Sequence, residues 1–159
     1  MIKFNFMAEP GKQEIIGTTI FDAPRKLVFK TYTDPDHLPE WWGLKNLTTI
    51  VDKMDLKPGG IWRFVQRDAN GNEFAFHGVY HEIREPERVI FTFEFEGMPG
   101  HVSLETVTFE EFDGKTKVTA KSVFQTVEDR DGIVNTGSEK GATESMDRLA
   151  GLLEKIQNS

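Results

Sequence analysis

From Leu44 to Phe124, hydrophobic and polar residues alternate in short runs cut by turn residues, and this two-residue period predicts a series of β-strands. Asn46 to Asp55 is one strand, ended by Lys57-Pro58-Gly59-Gly60, and Ile61 to Arg67 is the next, with Trp62 and Phe64 on one face. The following Asp68-Ala69-Asn70-Gly71-Asn72 contains an Asn-Gly pair suited to positive φ, which predicts a hairpin. Glu73 to Arg84 then places Phe74, Phe76, Gly78 and Tyr80 on one face and His77, Val79, His81 and Ile83 on the other. After Glu85-Pro86-Glu87, Val89, Phe91, Phe93 and Phe95 alternate with Ile90, Thr92, Glu94 and Glu96, the first set being the buried one. Gly97-Met98-Pro99-Gly100 is a loop. Val102 to Phe112 and Lys115 to Phe124 are joined by Asp113-Gly114, the strongest short hairpin signal in the chain. That turn puts Val118, Ala120, Ser122 and Phe124 on a face with Val107 and Phe109.

The period changes outside this block. Residues 1–11 read as a lead-in closed by Pro10-Gly11, and Ile15 to Phe21 as a first strand rich in branched residues. Asp22-Ala23-Pro24 signals a helix running to about Thr33, buried through Leu27, Val28 and Tyr32, with Asp22 able to accept from its orphan amides. Asp34-Pro35 signals a second, shorter helix to Trp41, closed by Gly43 and weakened by the late Pro39. From Gly132 to Ser159 the period is 3.6: Ala142, Met146, Leu149, Leu153 and Ile156 form the apolar stripe of one long helix. Such a helix is marginal alone in water and needs a partner surface. The antiparallel sheet supplies it. A sheet of six to seven strands curls as it twists, and one helix cannot tile its whole concave face, so a lined cavity between sheet and terminal helix is expected.

Composition narrows the classes. A chain of 159 residues suits a single domain, 1–159, able to bury roughly 70% of its unfolded surface. The absence of cysteine excludes disulfides, thiolate metal sites and cysteine nucleophiles. No apolar run reaches a membrane span, and Met1-Ile2-Lys3-Phe4-Asn5-Phe6 lacks a signal-peptide core, so a soluble, cytoplasmic protein is expected. A net charge of −7 with scattered Lys and Arg argues against nucleic-acid binding.

The order of elements and their motifs resemble the helix-grip, START-like (SRPBCC) superfamily, which includes polyketide cyclases and the birch-pollen allergen. Within it the chain is similar to the branch related to the carboxy-terminal domain of the activator of the heat-shock-protein-90 ATPase. The motifs are Phe21 to Phe29, Thr33-Asp34-Pro35 through Glu40-Trp41-Trp42-Gly43, Pro58-Gly59-Gly60 with Trp62, Gly78-Val79-Tyr80 with Glu82-Ile83, Thr108-Phe109-Glu110-Glu111, and Glu144 to Leu149. Together they cover Ile15 to Ile156. The resemblance implies an α+β helix-grip fold, a curved antiparallel sheet around a long C-terminal helix with two short helices after the first strand. Two departures matter. Ala142 follows Gly141 where relatives often carry Trp, implying a roomier cavity, and Thr18-Thr19 stands where relatives often carry a basic residue.

Candidate chemistry is thin. His77 and His81 are about 13 Å apart on a strand, too far to share one ion, so no metal is assigned. No Gly-x-Ser-x-Gly elbow is present. Glu110-Glu111 and Glu94/Glu96 read as solvated faces, while Glu82 or Glu105 could be a cavity carboxyl raised in pKa by desolvation. The thirteen phenylalanines are mostly core. The expected cavity lining is Trp41, Trp62, Phe64, Phe76, Tyr80, Phe91, Phe93, Phe109, Phe124, Ala142, Met146 and Leu149. Tyr80 stands out because a buried phenol needs a partner. The first reading is a protein binding a small apolar or aromatic molecule, without cofactor, as a monomer or weak homodimer. A second, implied by the resemblance, is a chaperone partner in a stress response, although the full eukaryotic activators carry a further amino-terminal domain for which this sequence has no room. The third is a cyclase, dehydratase or hydrolase using a cavity acid, with no catalytic residue assigned.

Overall fold

The computed structural model describes residues 2–159. Its strands are β1 (Phe4–Met7), β2 (Glu14–Phe21), β3 (Thr48–Met54), β4 (Ile61–Arg67), β5 (Glu73–Arg84), β6 (Arg88–Phe95), β7 (Val102–Phe112) and β8 (Lys115–Val123). They form one antiparallel sheet in the order β1-β2-β8-β7-β6-β5-β4-β3. The helices are α1 (Arg25–Thr33), α2 (Leu38–Trp41), α3 (Val127–Asn135) and α4 (Ser138–Gln157). Because β2 and β3 lie near opposite edges of the sheet, α1 and α2 must carry the chain across it, after which hairpins walk back from β3 to β8. No helix among the described residues is long and apolar enough to cross a membrane.

The sheet has eight strands rather than six or seven because the lead-in is itself a strand. Phe4 and Phe6 are half-buried while Asn5 and Met7 are exposed, and Phe4 pairs with Thr19 and Met7 with Ile16. Gly17 makes this edge possible: a Cβ there would lie 2.7 Å from the Phe4 ring. The expected long terminal helix is two helices. Gly137 adopts φ 84°, which a helix interior cannot hold, and the Thr136 hydroxyl closes α3 on the Ile133 carbonyl at 2.6 Å. Thr126 caps the start of α3 by accepting from the Asp129 amide.

The short helices also differ in detail. The Arg25 amide of α1 is satisfied by Glu111 of β7 at 2.7 Å rather than by Asp22, so Glu111 is a capping group and not merely a solvated one. Since α2 begins at Leu38, Pro39 sits in its first turn, where the missing N–H takes nothing from the helix. Asp113 and Gly114 both take positive φ, and Phe112 pairs with Lys115, as a two-residue hairpin requires.

A β-bulge between Tyr80 and Glu82 reverses the faces of β5. Tyr80 points inward, the extra residue His81 is exposed, and Ile83 joins the core instead of the outer face. The core runs continuously from Phe21, Phe29 and Phe109 to Trp41, Trp62 and Tyr80, and is closed by Leu149, Leu152 and Leu153 of α4. Trp62 is fixed by a close approach. Its indole N–H crosses β5 over Gly78 to donate to the Thr92 carbonyl at 3.1 Å, and a Cβ on Gly78 would strike both that carbonyl and the indole.

Gly78→Ala should therefore destabilise the protein by about 3 kcal/mol through overpacking. Gly151→Ala, whose Cβ would meet nothing within 4 Å on the outer side of α4, should stabilise it by about 0.5–1 kcal/mol. Thermal unfolding of both variants checks the pair, at about 2–4 °C per kcal/mol for a chain of this size.

Candidate functional site

The inner face of β4 to β7 and the crossing segment enclose a hollow of about 170 Å³. Its floor is Trp62 and Phe64 of β4, Tyr80 of β5, Val89, Phe91 and Phe93 of β6, and Glu105 of β7. Its roof is Tyr32 and Thr33 of α1, Leu38 and Trp41 of α2, and Trp42, with Met54 of β3 at the side. The rings support one another: Tyr32 and Trp41 have centroids 4.7 Å apart, Trp62 and Phe64 4.7 Å, and Trp42 meets Phe64 edge-on at 5.1 Å.

Helix α4 sets the roof without lining the hollow. Ser145 Oγ accepts from the Gly43 amide at 2.9 Å, and Arg148 donates to the carbonyls of Gly43 at 3.0 Å and Pro39 at 3.2 Å. Gly43 takes φ 87°, and a Cβ there would strike the Gln66 amide. These contacts fix Trp42 between the inner hollow and an open cleft that runs beneath the turn joining α3 and α4.

The polar groups are few. The Glu105 carboxyl accepts from Ser103 Oγ at 2.7 Å and Ser122 Oγ at 2.6 Å, its two oxygens taking one hydroxyl each. Burial pushes its pKa above the usual carboxylate range, against the two serine hydrogen bonds that favour the charged form. The residue keeps some accessible surface because it lines the hollow. No lysine, arginine or histidine among the described residues pairs with it. Burial, aided by the Glu105 charge and Tyr80, holds the Tyr32 phenol in its protonated form, and burial does the same for Tyr80. Neither hydroxyl is engaged by a described protein group, and the Trp41 indole N–H has no acceptor.

The sequence-predicted lining divides. Trp41, Trp62, Phe64, Tyr80, Phe91 and Phe93 meet around the hollow, whereas Phe76 and Ala142 line the open cleft instead. Phe109 and Leu149 are fully packed core, and Met146 is half-buried against that core. Phe124 lies beyond β8, its amide donating to the Gln13 carbonyl. The hollow thus sits under α1 and α2 rather than under the terminal helix, because Leu149, Leu152 and Leu153 close the space beneath α4. Glu82 is excluded as a cavity acid. The bulge at His81 leaves it at the sheet surface in a two-bond pair with Arg88, which lowers its pKa. His77 lies outside between Glu94 and Glu96, and Arg63, with help from His77, holds Glu96 down to about 2.

Tyr32, Thr33, Leu38, Trp42, Met54 and Val89 line the hollow outside the predicted set, and Glu105 is one of the two cavity carboxyls the sequence offers. Parity alone finds Glu105, since Ser103, Glu105, Val107 and Phe109 lie on one face of a strand without a bulge. No group of three or more His, Cys, Asp or Glu among the described residues is arranged to hold a metal ion.

A curved antiparallel sheet gripping a long C-terminal helix, with two short helices crossing between the second and third strands, is the helix-grip architecture. A family model described as "Activator of Hsp90 ATPase homolog 1-like protein" matches residues 22–154, and the chain belongs to that family. Solved structures share the fold. A Mycobacterium smegmatis protein is 24% identical, with a TM-score of 0.86 over 96% of this chain and 97% of its own. A Rhodobacter sphaeroides protein is 18% identical, with a TM-score of 0.88 over 96% and 99%. An Arthrobacter aurescens protein is 22% identical, with a TM-score of 0.87 over 95% and 91%. No curated protein sequence matches the chain.

A carboxyl whose pKa is raised on folding adds stability below the unfolded value, about 4.3, and loses it as pH rises through the folded value. Glu105→Gln should remove that loss. Its melting temperature should equal or fall below that of the parent at pH 4 and exceed it by a few degrees at pH 8, as read in parallel thermal melts across that range.

Proposed function

We propose that the protein binds a small apolar or aromatic molecule in the hollow between the crossing helices and the inner face of β4 to β7. The observation that carries this reading is an aromatic wall interrupted by only a few polar groups, two of them phenols with no protein partner. Ligand sites are built this way, with apolar surface for affinity and a few fixed polar groups for orientation. A cavity of about 150 Å³ accepts a benzene molecule, so 170 Å³ suits a single substituted ring. Titration with benzene- and indole-sized probes, followed by amide NMR shifts, should give saturable changes at Trp41, Trp62 and Tyr80. Val89→Phe adds a ring to the wall and should abolish them while keeping the fold, at a cost of about 1–3 kcal/mol. Equal shifts in both proteins, or none in the parent, would remove this reading.

A second reading, supported by the family match over residues 22–154, is action on a heat-shock-protein-90 chaperone. It predicts that the protein raises the ATPase rate of the chaperone from its own organism and is captured by it. An unchanged rate with no capture eliminates it.

A further inference from the structure

The hollow contains a carboxyl group without a positive partner. Each oxygen of Glu105 accepts one serine hydroxyl, from Ser103 and from Ser122, and each retains a free lone pair. Two partly exposed carboxylates on the outer side of the sheet each have a cation: Glu96 has Arg63, and Glu82 has Arg88. Glu105, more deeply enclosed than either, has none. A buried carboxylate left unpaired is costly, and the cost falls when a cation or a strong donor enters beside it.

The remaining wall suits such a cation. Trp41, Trp62 and Tyr80 are at least nine-tenths buried, and with Tyr32 and Trp42 they line the same small space. Aromatic faces that surround a cavity attract ammonium groups through their ring quadrupoles, most strongly where water is excluded. The free Tyr32 and Tyr80 hydroxyls can accept from an ammonium N–H as well as donate. An anionic ligand would meet Glu105 in the same low-dielectric space with no counter-charge.

We infer that the molecule taken by this hollow carries an ammonium group on a single aromatic ring, an arylalkylamine, with Glu105 as its ion-pair partner and the surrounding indoles and phenols as its cage. The inference rests on the ligand-binding reading given above and assigns the chemical class of the ligand. A bound cation also favours ionised Glu105, opposing the effect of burial on that carboxyl.

Benzylamine, toluene and benzoate share one ring and differ in charge, so their affinities at pH 7 test the point by calorimetry or amide NMR titration. Benzylamine should bind about tenfold or more tighter than toluene or benzoate. In Glu105→Gln, benzylamine should fall to within about threefold of toluene measured on the same variant. Benzoate or toluene binding as tightly as benzylamine, or a preference for benzylamine that survives in Glu105→Gln, overturns the inference and leaves aromatic binding standing. If none of the three probes binds the parent protein, the ligand-binding reading falls with it.

Discussion

Arg148 holds the carbonyls of Pro39 and Gly43, and the arrangement above the sheet depends on that grip. The chain has to cross the sheet between β2 and β3 on two helices of nine and four residues, too short to be stable alone. A cation placed at one carbonyl of α2, that of Pro39, and at the Gly43 carbonyl just beyond the helix satisfies groups that so short a helix cannot. Arg148 loses hydration in the process, which lowers its pKa, yet a guanidinium stays charged in any protein environment. Ser145, one turn earlier on α4, bonds both the amide and the carbonyl of Gly43. The terminal helix therefore acts as a clamp on the roof of the hollow, and Trp42 takes its place between hollow and cleft because its neighbour is held.

The floor is fixed by a different device. Trp62 is locked by a hydrogen bond that passes over Gly78, and it meets Phe64 and Phe93 with centroids 4.7 and 5.8 Å away. A wall of this kind is stiff, and stiffness leaves a hollow open where softer side chains would collapse into it. Within that wall Glu105 is a departure from the apolar pattern. Burial of its carboxyl opposes ionisation, so its presence lowers stability at neutral pH.

Family and fold set the frame but not the chemistry. Solved structures at 18 and 24% identity share the fold, and a shared fold hosts many functions. The chemistry open to this chain depends on the side-chain set in its hollow, above all the unpaired carboxyl and the two free phenols.

Much of the fold is legible in the sequence because its signals are local. Alternation marks β3 to β8, Asp113-Gly114 marks the hairpin between β7 and β8, and the 3.6-residue stripe marks α4. Six of the hollow's aromatic residues follow from strand parity and helix side. Other features depend on contacts between distant segments. Phe4 to Met7 becomes a strand only because β2 offers a partner edge and Gly17 leaves room for Phe4. The bulge at His81 turns Ile83 inward and Glu82 outward, so simple alternation from Tyr80 misplaces both. The hollow lies under α1 and α2 because the leucines of α4 close the space beneath that helix, and no local period carries that information. The sequence by itself determined which residues alternate, where the turns fall and that a long amphipathic helix would need a sheet. Tertiary structure decided which carboxylate is enclosed and where the space remains, because enclosure depends on segments about 100 residues apart meeting at Gly43.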